Sequence, residues 1–208
     1  MSTERQWASL TLDNIDDLLK PCRSCVFWEL DPIVGRQASH VGDPELEKEA
    51  WVSATLLRWG SCGTIVYQGS APIGYVLYAP QAFLPRSATF PTSPISADAL
   101  QLVTARVHPE ERGRGLGRAL VHSAAQDLAH RGTRALEAFG NLQAADSHSC
   151  VLPAGFLLAV GFKTVRAHPE WPRLRMDLRT MITLTAEVEA ALNRIVEAVR
   201  PEPVLRPV

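Results

Sequence analysis

Between residues 100 and 120 the chain reads L-Q-L-V-T-A-R-V-H-P-E-E-R-G-R-G-L-G-R-A-L. Leu100, Leu102, Val103, Ala105 and Val107 make an apolar, partly β-branched run of strand length. His108-Pro109 closes it, because proline brings no N–H to a ladder and turns the residue before it away from helix. Arg112-Gly113-Arg114-Gly115-Leu116-Gly117 follows, and a helical pattern begins at once. A strand, a glycine-rich turn and a helix N-terminus make an anion-binding device. Glycine lets the backbone approach a phosphate closely, and the first helical N–H groups have no partner within the helix. The helix dipole adds roughly half a positive charge there. Arg112, Arg114 and Arg118 add cationic donors.

Two familiar phosphate loops can be weighed against this string. A P-loop needs Lys-Ser/Thr after its last glycine, and here Arg118-Ala119 follows Gly117. A dinucleotide fingerprint reads G-x-G-x-x-G directly after the strand, whereas this loop reads G-x-G-x-G and starts several residues later. Glu137 does lie about where a ribose-binding acid would stand, which keeps a Rossmann-type nucleotide-binding domain as an alternative. The remaining match, V-H-P-E-E-R-G-R-G-L-G, resembles the acetyl-CoA pyrophosphate loop of the GNAT superfamily of N-acetyltransferases.

That resemblance spans about Trp7 to Arg179 and implies an α/β (α+β) fold, a mixed central sheet flanked by helices. It implies acetyl-CoA as co-substrate and a primary amine as acceptor, on a protein lysine or a small molecule. The amine would attack the thioester directly in a ternary complex, with much of the rate coming from proximity and orientation. Arg106, Val107, Arg112, Gly113, Arg114, Gly115, Leu116, Gly117 and Arg118 would then bind the cofactor. A free backbone N–H near Arg106-Val107 would polarise the thioester carbonyl.

Two positions depart from the family pattern. The tyrosine that often protonates the leaving thiolate falls on Leu157, four residues before Gly161-Phe162. The glutamate that lysine acetyltransferases use as base falls on Gln101, whose amide takes no proton at neutral pH. Glu137 and Glu29 are the carboxylates offered as substitutes. Ser147, His148, Ser149 and Cys150, ahead of the last short helix, are weaker ones, and Cys150 stands near where the family often has a cofactor-contacting asparagine. With both usual groups missing, a catalytically weak acyl-CoA-binding sensor is a second alternative.

The rest of the chain bounds these expectations. Its 208 residues suffice for one domain with a sizeable core, and its formal net charge of −1 gives no global basic signal for nucleic acid or a membrane surface. No apolar run reaches membrane-spanning length, no signal-peptide core opens the chain, and four cysteines make no disulfide framework, so a reduced, cytoplasmic protein is expected. Cys22-x-x-Cys25 lacks paired partners at zinc-ligand spacing and reads as reduced, partly buried thiols. Trp7 to Thr11 is expected as a strand and Thr11 to Lys20 as a helix. Asp43-Pro44-Glu45 starts a helix to about Trp59, by an acidic N-cap and proline at the first position. A hairpin is expected over Cys62 to Tyr78, and a long loop over Gln81 to Ala97. Strand, helix and strand follow over Leu100 to Phe139 as a β-α-β unit, then a polar loop over Gly140 to Ser149 and a short helix over Val151 to Val160. Lys163 to Arg166 and Leu174 to Arg179 form a last strand pair. The domain is expected to end near residue 180. Val188, Leu192, Ile195 and Val199 then stripe an amphipathic C-terminal helix that packs on the domain or on a second copy, with a tail from Pro201.

Overall fold

A computed structural model describes residues 4–40, 42–143 and 150–179. The expected C-terminal helix and the loop candidates Ser147, His148 and Ser149 lie outside these residues.

Eight strands form the sheet: β1 (Arg5–Ser9), β2 (Gly63–Gln68), β3 (Ala71–Ala79), β4 (Ala99–Val107), β5 (Ala135–Asn141), β6 (Leu152–Pro153), β7 (Lys163–Arg166) and β8 (Arg173–Asp177). Their spatial order is β1-β2-β3-β4-β5-β8-β7, with β6 paired to β5 off this path. The β4–β5 and β5–β6 pairings are parallel and the others antiparallel, so the sheet is mixed. Among the described residues four helices flank it: α1 (Pro32–His40), α2 (Pro44–Trp59), α3 (Leu116–His130) and α4 (Ala154–Ala159).

Strand alternation sorts the apolar residues into two cores. Val76 and Tyr78 of β3, with Leu100 and Leu102 of β4, pack beneath α3 and α4, where Leu120, Val121, Ala124, Leu128 and Leu157 meet them. Tyr75 and Leu77 of β3, with Ile65 and Val103, pack on the other face against Trp51, Val52 and the N-terminal residues Leu10, Ile15 and Leu18. A central strand covered on both faces reads as a continuous apolar run, as Ile73 to Ala79 does.

Helix α2 begins as expected, with the Asp43 carboxylate accepting from the N–H groups of Glu45 and Leu46. It ends at Gly60, whose φ of 92° belongs to the left-handed region. Two expectations need correction. Thr11 to Lys20 is not a helix but a loop with one 3₁₀ turn, Ile15–Asp17. The Asn14 side chain accepts from Thr11 N–H and the Thr11 hydroxyl from Asp13 N–H, local bonds that compete with a helical ladder. Ile15 and Leu18 are buried there, while Leu12 points outward. Conversely α1 is a helix beyond those expected, although Asp31-Pro32 carries the same start signal as Asp43-Pro44; the Asp31 carboxylate accepts from Ile33 and Val34 N–H. The Gln81 to Ala97 loop contains two short 3₁₀ turns, Gln81–Phe83 and Pro85–Thr89.

Removing the α2 cap should cost about 1 kcal/mol, since two helical N–H groups lose their acceptor. Asp43→Ala is expected to lower the melting temperature by roughly 2–4 °C for a chain of this length. An unchanged melting curve would show that the cap contributes nothing.

Candidate active site

Strands β4 and β5 part company early. Their parallel register runs Ala99↔Ala135, Leu100↔Leu136, Gln101↔Glu137 and then stops. Beyond it β5 turns to β8 and β6, while β4 continues six residues to Val107 beside β3 alone. His108 N–H donates to the Ile73 carbonyl at 2.8 Å. Residues of an antiparallel pair alternate between facing the partner strand and facing away. Ala105 and Val107, opposite Val76 and Gly74, therefore turn their N–H groups from β3 toward the edge that β5 has left. A bulge at Val103 lies midway, where Leu77 pairs with Thr104 and Tyr78 with Leu102.

The glycine-rich loop stands at the end of this gap. Gly113 and Gly115 have φ of 74° and 78°, a conformation that L side chains rarely adopt, and a Cβ on either would meet open space. Gly115 is the N-cap of α3, and no side chain caps that helix. The contrast with α2, closed by Asp43, leaves α3 with its first N–H groups available to an anion. Gly117 serves packing instead, because a Cβ there would come 3.2 Å from the Phe156 ring, so it sets the approach of α3 to α4. Of the three arginines, Arg112 donates to the Val107 carbonyl at 3.3 Å and Arg114 to Glu111 at 3.0 Å. Arg118 reaches across to the Ala159 carbonyl at the end of α4. All three are exposed at the surface of the loop.

Two spaces adjoin β4, and a third opens beyond them at Cys150. One of about 310 Å³ is walled by Arg106, Val107, His108 and Arg112 together with Tyr75 and Cys22. A narrow gap of about 20 Å³ lies beside Val103 and Thr104, among Cys22, Cys25, Trp28 and Cys150. A chamber of about 440 Å³ is lined by Phe27, Phe90, Pro91 and Trp171, with Arg86 and Cys150. Trp28, Phe90 and Phe139 stack in this region with ring centroids 4.5–6.0 Å apart. Arg86 lies over the Phe27 ring at 4.3 Å.

The family model described as the acetyltransferase (GNAT) family matches residues 13–150. The chain belongs to that family. No curated protein sequence matches it, but solved structures do. PaiA N-acetyltransferase from Thermoplasma acidophilum, in complex with coenzyme A, superposes with a TM-score of 0.56 at 12% identity, covering 84% of this chain and 99% of that one. The structure of yncA from Salmonella typhimurium with its cofactor acetyl-CoA gives 0.56 at 14% identity, covering 84% and 94%. An N-acetyltransferase from Staphylococcus aureus Mu50 gives 0.52 at 15% identity, covering 84% and 99%. At such identities the likeness is one of fold, and the mixed sheet flanked by helices is the fold shared.

Within this GNAT domain both substitute carboxylates are already engaged. Glu137 sits on β5 at the last paired position and is fully buried. Its carboxylate accepts from Arg175 at 3.0 Å and from Ser96 N–H at 3.1 Å, with Arg173 at 3.5 Å. Arg175 also holds Asp98, whose carboxyl it keeps below the usual carboxylate range. Glu29 is buried against Lys48 in an ion pair, and accepts from the Trp28 N–H at 3.1 Å. Leu157 is buried in the core under α3. Gln101 is fully buried and accepts from the Ser87 hydroxyl at 2.5 Å.

A contact that sequence reasoning missed joins Cys25 to Cys150. Their sulfurs are 3.2 Å apart, and both are free thiols. The hydrogen bond with Cys150 holds the Cys25 thiol below its ordinary value despite burial, helped by Phe27 N–H and Lys48. The same bond and burial push Cys150 up. Nothing in the sequence pairs two residues 125 positions apart; the only signal is that each stands out separately, one in a C-x-x-C and one at a cofactor-side position. Among the described residues no three His, Cys, Asp or Glu side chains gather as a metal site.

Glu29 and Lys48 are each almost wholly buried, so removing one charge strands the other. Glu29→Gln should therefore cost roughly 3–5 kcal/mol. Chemical denaturation would check this. A loss under about 1 kcal/mol would mean that Lys48 reaches water.

Proposed function

We propose that this GNAT protein transfers an acetyl group from acetyl-CoA to a primary amine by direct attack in a ternary complex. The observation that carries the reading is the parting of β4 from β5 beside an uncapped, glycine-led helix. The residues present fit the cofactor. Gly113, Leu116, Gly117 and the N–H groups at the start of α3 would hold the pyrophosphate, with Arg112 and Arg114 beside it. Arg118, bound to the Ala159 carbonyl, would add charge and tie that cradle to α4. The β4 edge that β5 leaves offers the Ala105 and Val107 N–H groups to a ligand that carries amides of its own, as the pantetheine arm does. Val107 or Ala105 N–H would then polarise the thioester carbonyl.

The acceptor reading is narrower than a choice between protein lysine and any amine. The chamber beyond Cys150 is walled by aromatic rings and Arg86, with no carboxylate among its described lining residues. Such a wall favours a small amine with an apolar body over a lysine chain approaching as a cation. A catalytically weak acyl-CoA-binding protein is the second reading, favoured by the buried Leu157 and Gln101 at the usual acid and base positions. No described helix is long and apolar enough to cross a membrane.

Acetyl-CoA and CoA should raise the melting temperature and NAD should not, because a ligand that binds only the folded state stabilises it. Release of free thiol over a panel of primary amines separates the two readings. Gly115→Glu and Gly115→Gln share the same backbone strain and differ by one negative charge. The glutamate variant is expected to lose acetyl-CoA affinity at least tenfold relative to the glutamine variant. Equal affinities in calorimetry would remove the phosphates from this loop.

A further inference from the structure

Two thiols meet beside the open β4 edge, and the direct attack proposed above gives neither of them a step. Cys25 belongs to the N-terminal loop and Cys150 to the segment ahead of α4, so the contact joins two segments distant in the chain beside β4. Both line the narrow space beside Val103 and Thr104, and Cys150 also lines the aromatic chamber. It is the one residue common to these two linings. Trp28 Nε1–H donates to the Cys150 carbonyl at 2.8 Å and holds that backbone in place. Cys22 and Cys62 are buried, and Cys62 is pushed up to about 12 by burial. Cys25 and Cys150 are the more accessible pair.

Acetyl transfer to an amine must move one proton. The nitrogen that attacks the thioester carries one too many once its bond to the acetyl carbon has formed. The sulfur that leaves carries one too few. Leu157 and Gln101 cannot supply or accept it, and Glu29 and Glu137 are committed to ion pairs with Lys48 and Arg175. The remaining ionisable side chains around the gap beside Thr104 are Cys22, Lys48 and the thiol pair, with Tyr75 and Arg106 on the strands behind Cys22. Lys48 is held by Glu29, and Cys22 lies in the core beneath Tyr75.

We propose that Cys25 and Cys150 form the proton relay of acetyl transfer, taking the proton of the attacking amine and returning one to the sulfur of coenzyme A. This rests on the acetyltransferase reading above. At rest the pair holds one proton, on Cys150, and Cys25 is the thiolate. The amine nitrogen bonds to the acetyl carbon, and the resulting ammonium gives its proton to Cys25. The carbon–sulfur bond to coenzyme A then breaks, and the Cys150 thiol protonates the departing thiolate. The Cys25 proton crosses the 3.2 Å contact to Cys150, which restores the starting state. Amine and thioester go in, amide and thiol come out, and the pair ends as it began. While Cys25 is charged, Cys150 is a poor acid; once Cys25 has taken the amine's proton that restraint is gone. Acceptance on one sulfur thus prepares donation from the other.

The first test is the pH dependence of iodoacetamide alkylation, followed by mass spectrometry under reducing conditions. In the wild-type protein the Cys25 rate should have its midpoint at least one pH unit below the ~8.5 of a free thiol. Cys150→Ala should move it back up by a unit or more. Saturating CoA should slow alkylation of both residues at least tenfold. An ordinary midpoint overturns the relay. So does CoA binding, seen by calorimetry, that leaves both thiols unprotected, and this result spares the acetyltransferase reading. Failure to bind CoA at all overturns both.

The second readout is loss of thioester absorbance with hydroxylamine, a small amine unprotonated at neutral pH. Cys150→Ala should lower kcat about a hundredfold or more, the size of a lost acid or base, with KM for acetyl-CoA within twofold. Cys150→Ser should recover part of that loss. The acidic limb of the pH profile should follow the alkylation midpoint. Wild-type kcat in a Cys25→Ser/Cys150→Ala double variant would overturn the proposal.

Discussion

Strand β4 has two hydrogen-bonding edges and a full partner for only one of them. Along the other, β5 stays for three residues, Ala135 to Glu137, and then leaves. What fixes the point of departure is buried beneath it. Glu137 is fully enclosed and can be so only because Arg175, Arg173 and the Ser96 N–H surround its carboxylate. Burying a lone carboxylate would be prohibitive, and pairing it with arginines from β8 binds β5 to β8 rather than to β4. The ionic cluster is thus part of how the sheet opens. The loop, the spaces beside β4 and the thiol contact are all arranged along the resulting gap.

Much of this is legible in the chain because it is local. The strand, the glycine turn and α3 follow one another within about twenty residues, and each announces itself by periodicity, proline or positive-φ glycine. The Asp43-Pro44 cap is equally local. Where local signals compete, reading is harder. Leu12, Ile15, Leu18 and Leu19 have a helical spacing, yet Asn14 and Thr11 satisfy the backbone in a turn. At Asp31-Pro32 the start signal is present, but the helix it opens buries little; Ala38 is its one buried residue.

The residues of the site are legible in kind but not in partnership. Glu137 and Glu29 stand out in the chain as carboxylates in useful places. Their arginine and lysine partners lie on other elements, and a sequence does not show that a buried acid has been neutralised. Cys25 and Cys150 show the converse. Each alone reads as a reduced thiol in partly buried surroundings, and only folding brings them into contact. A charge or a thiol acquires its chemistry from what lies across the fold, and that is the information a linear pattern lacks.

The sheet's outer edges are guarded in a way its inner edge is not. Among the described residues the order ends at β1 on one side and β7 on the other. Strand β7 is four residues long, carries Lys163 and Arg166, and slips register between Thr164 and Arg166. Strand β1 is five residues long and opens with Arg5. Short, charged and irregular edges discourage a second chain from adding a strand. The stretch of β4 past its pairing with β5 is guarded less fully, since from Leu102 to Val107 its one charged residue is Arg106 and its one irregularity the bulge at Val103. The N-terminal loop lies beside it instead, with Cys22 and Cys25 facing the space next to Val103 and Thr104. An extended molecule with amide groups along its length could lie there as one more strand.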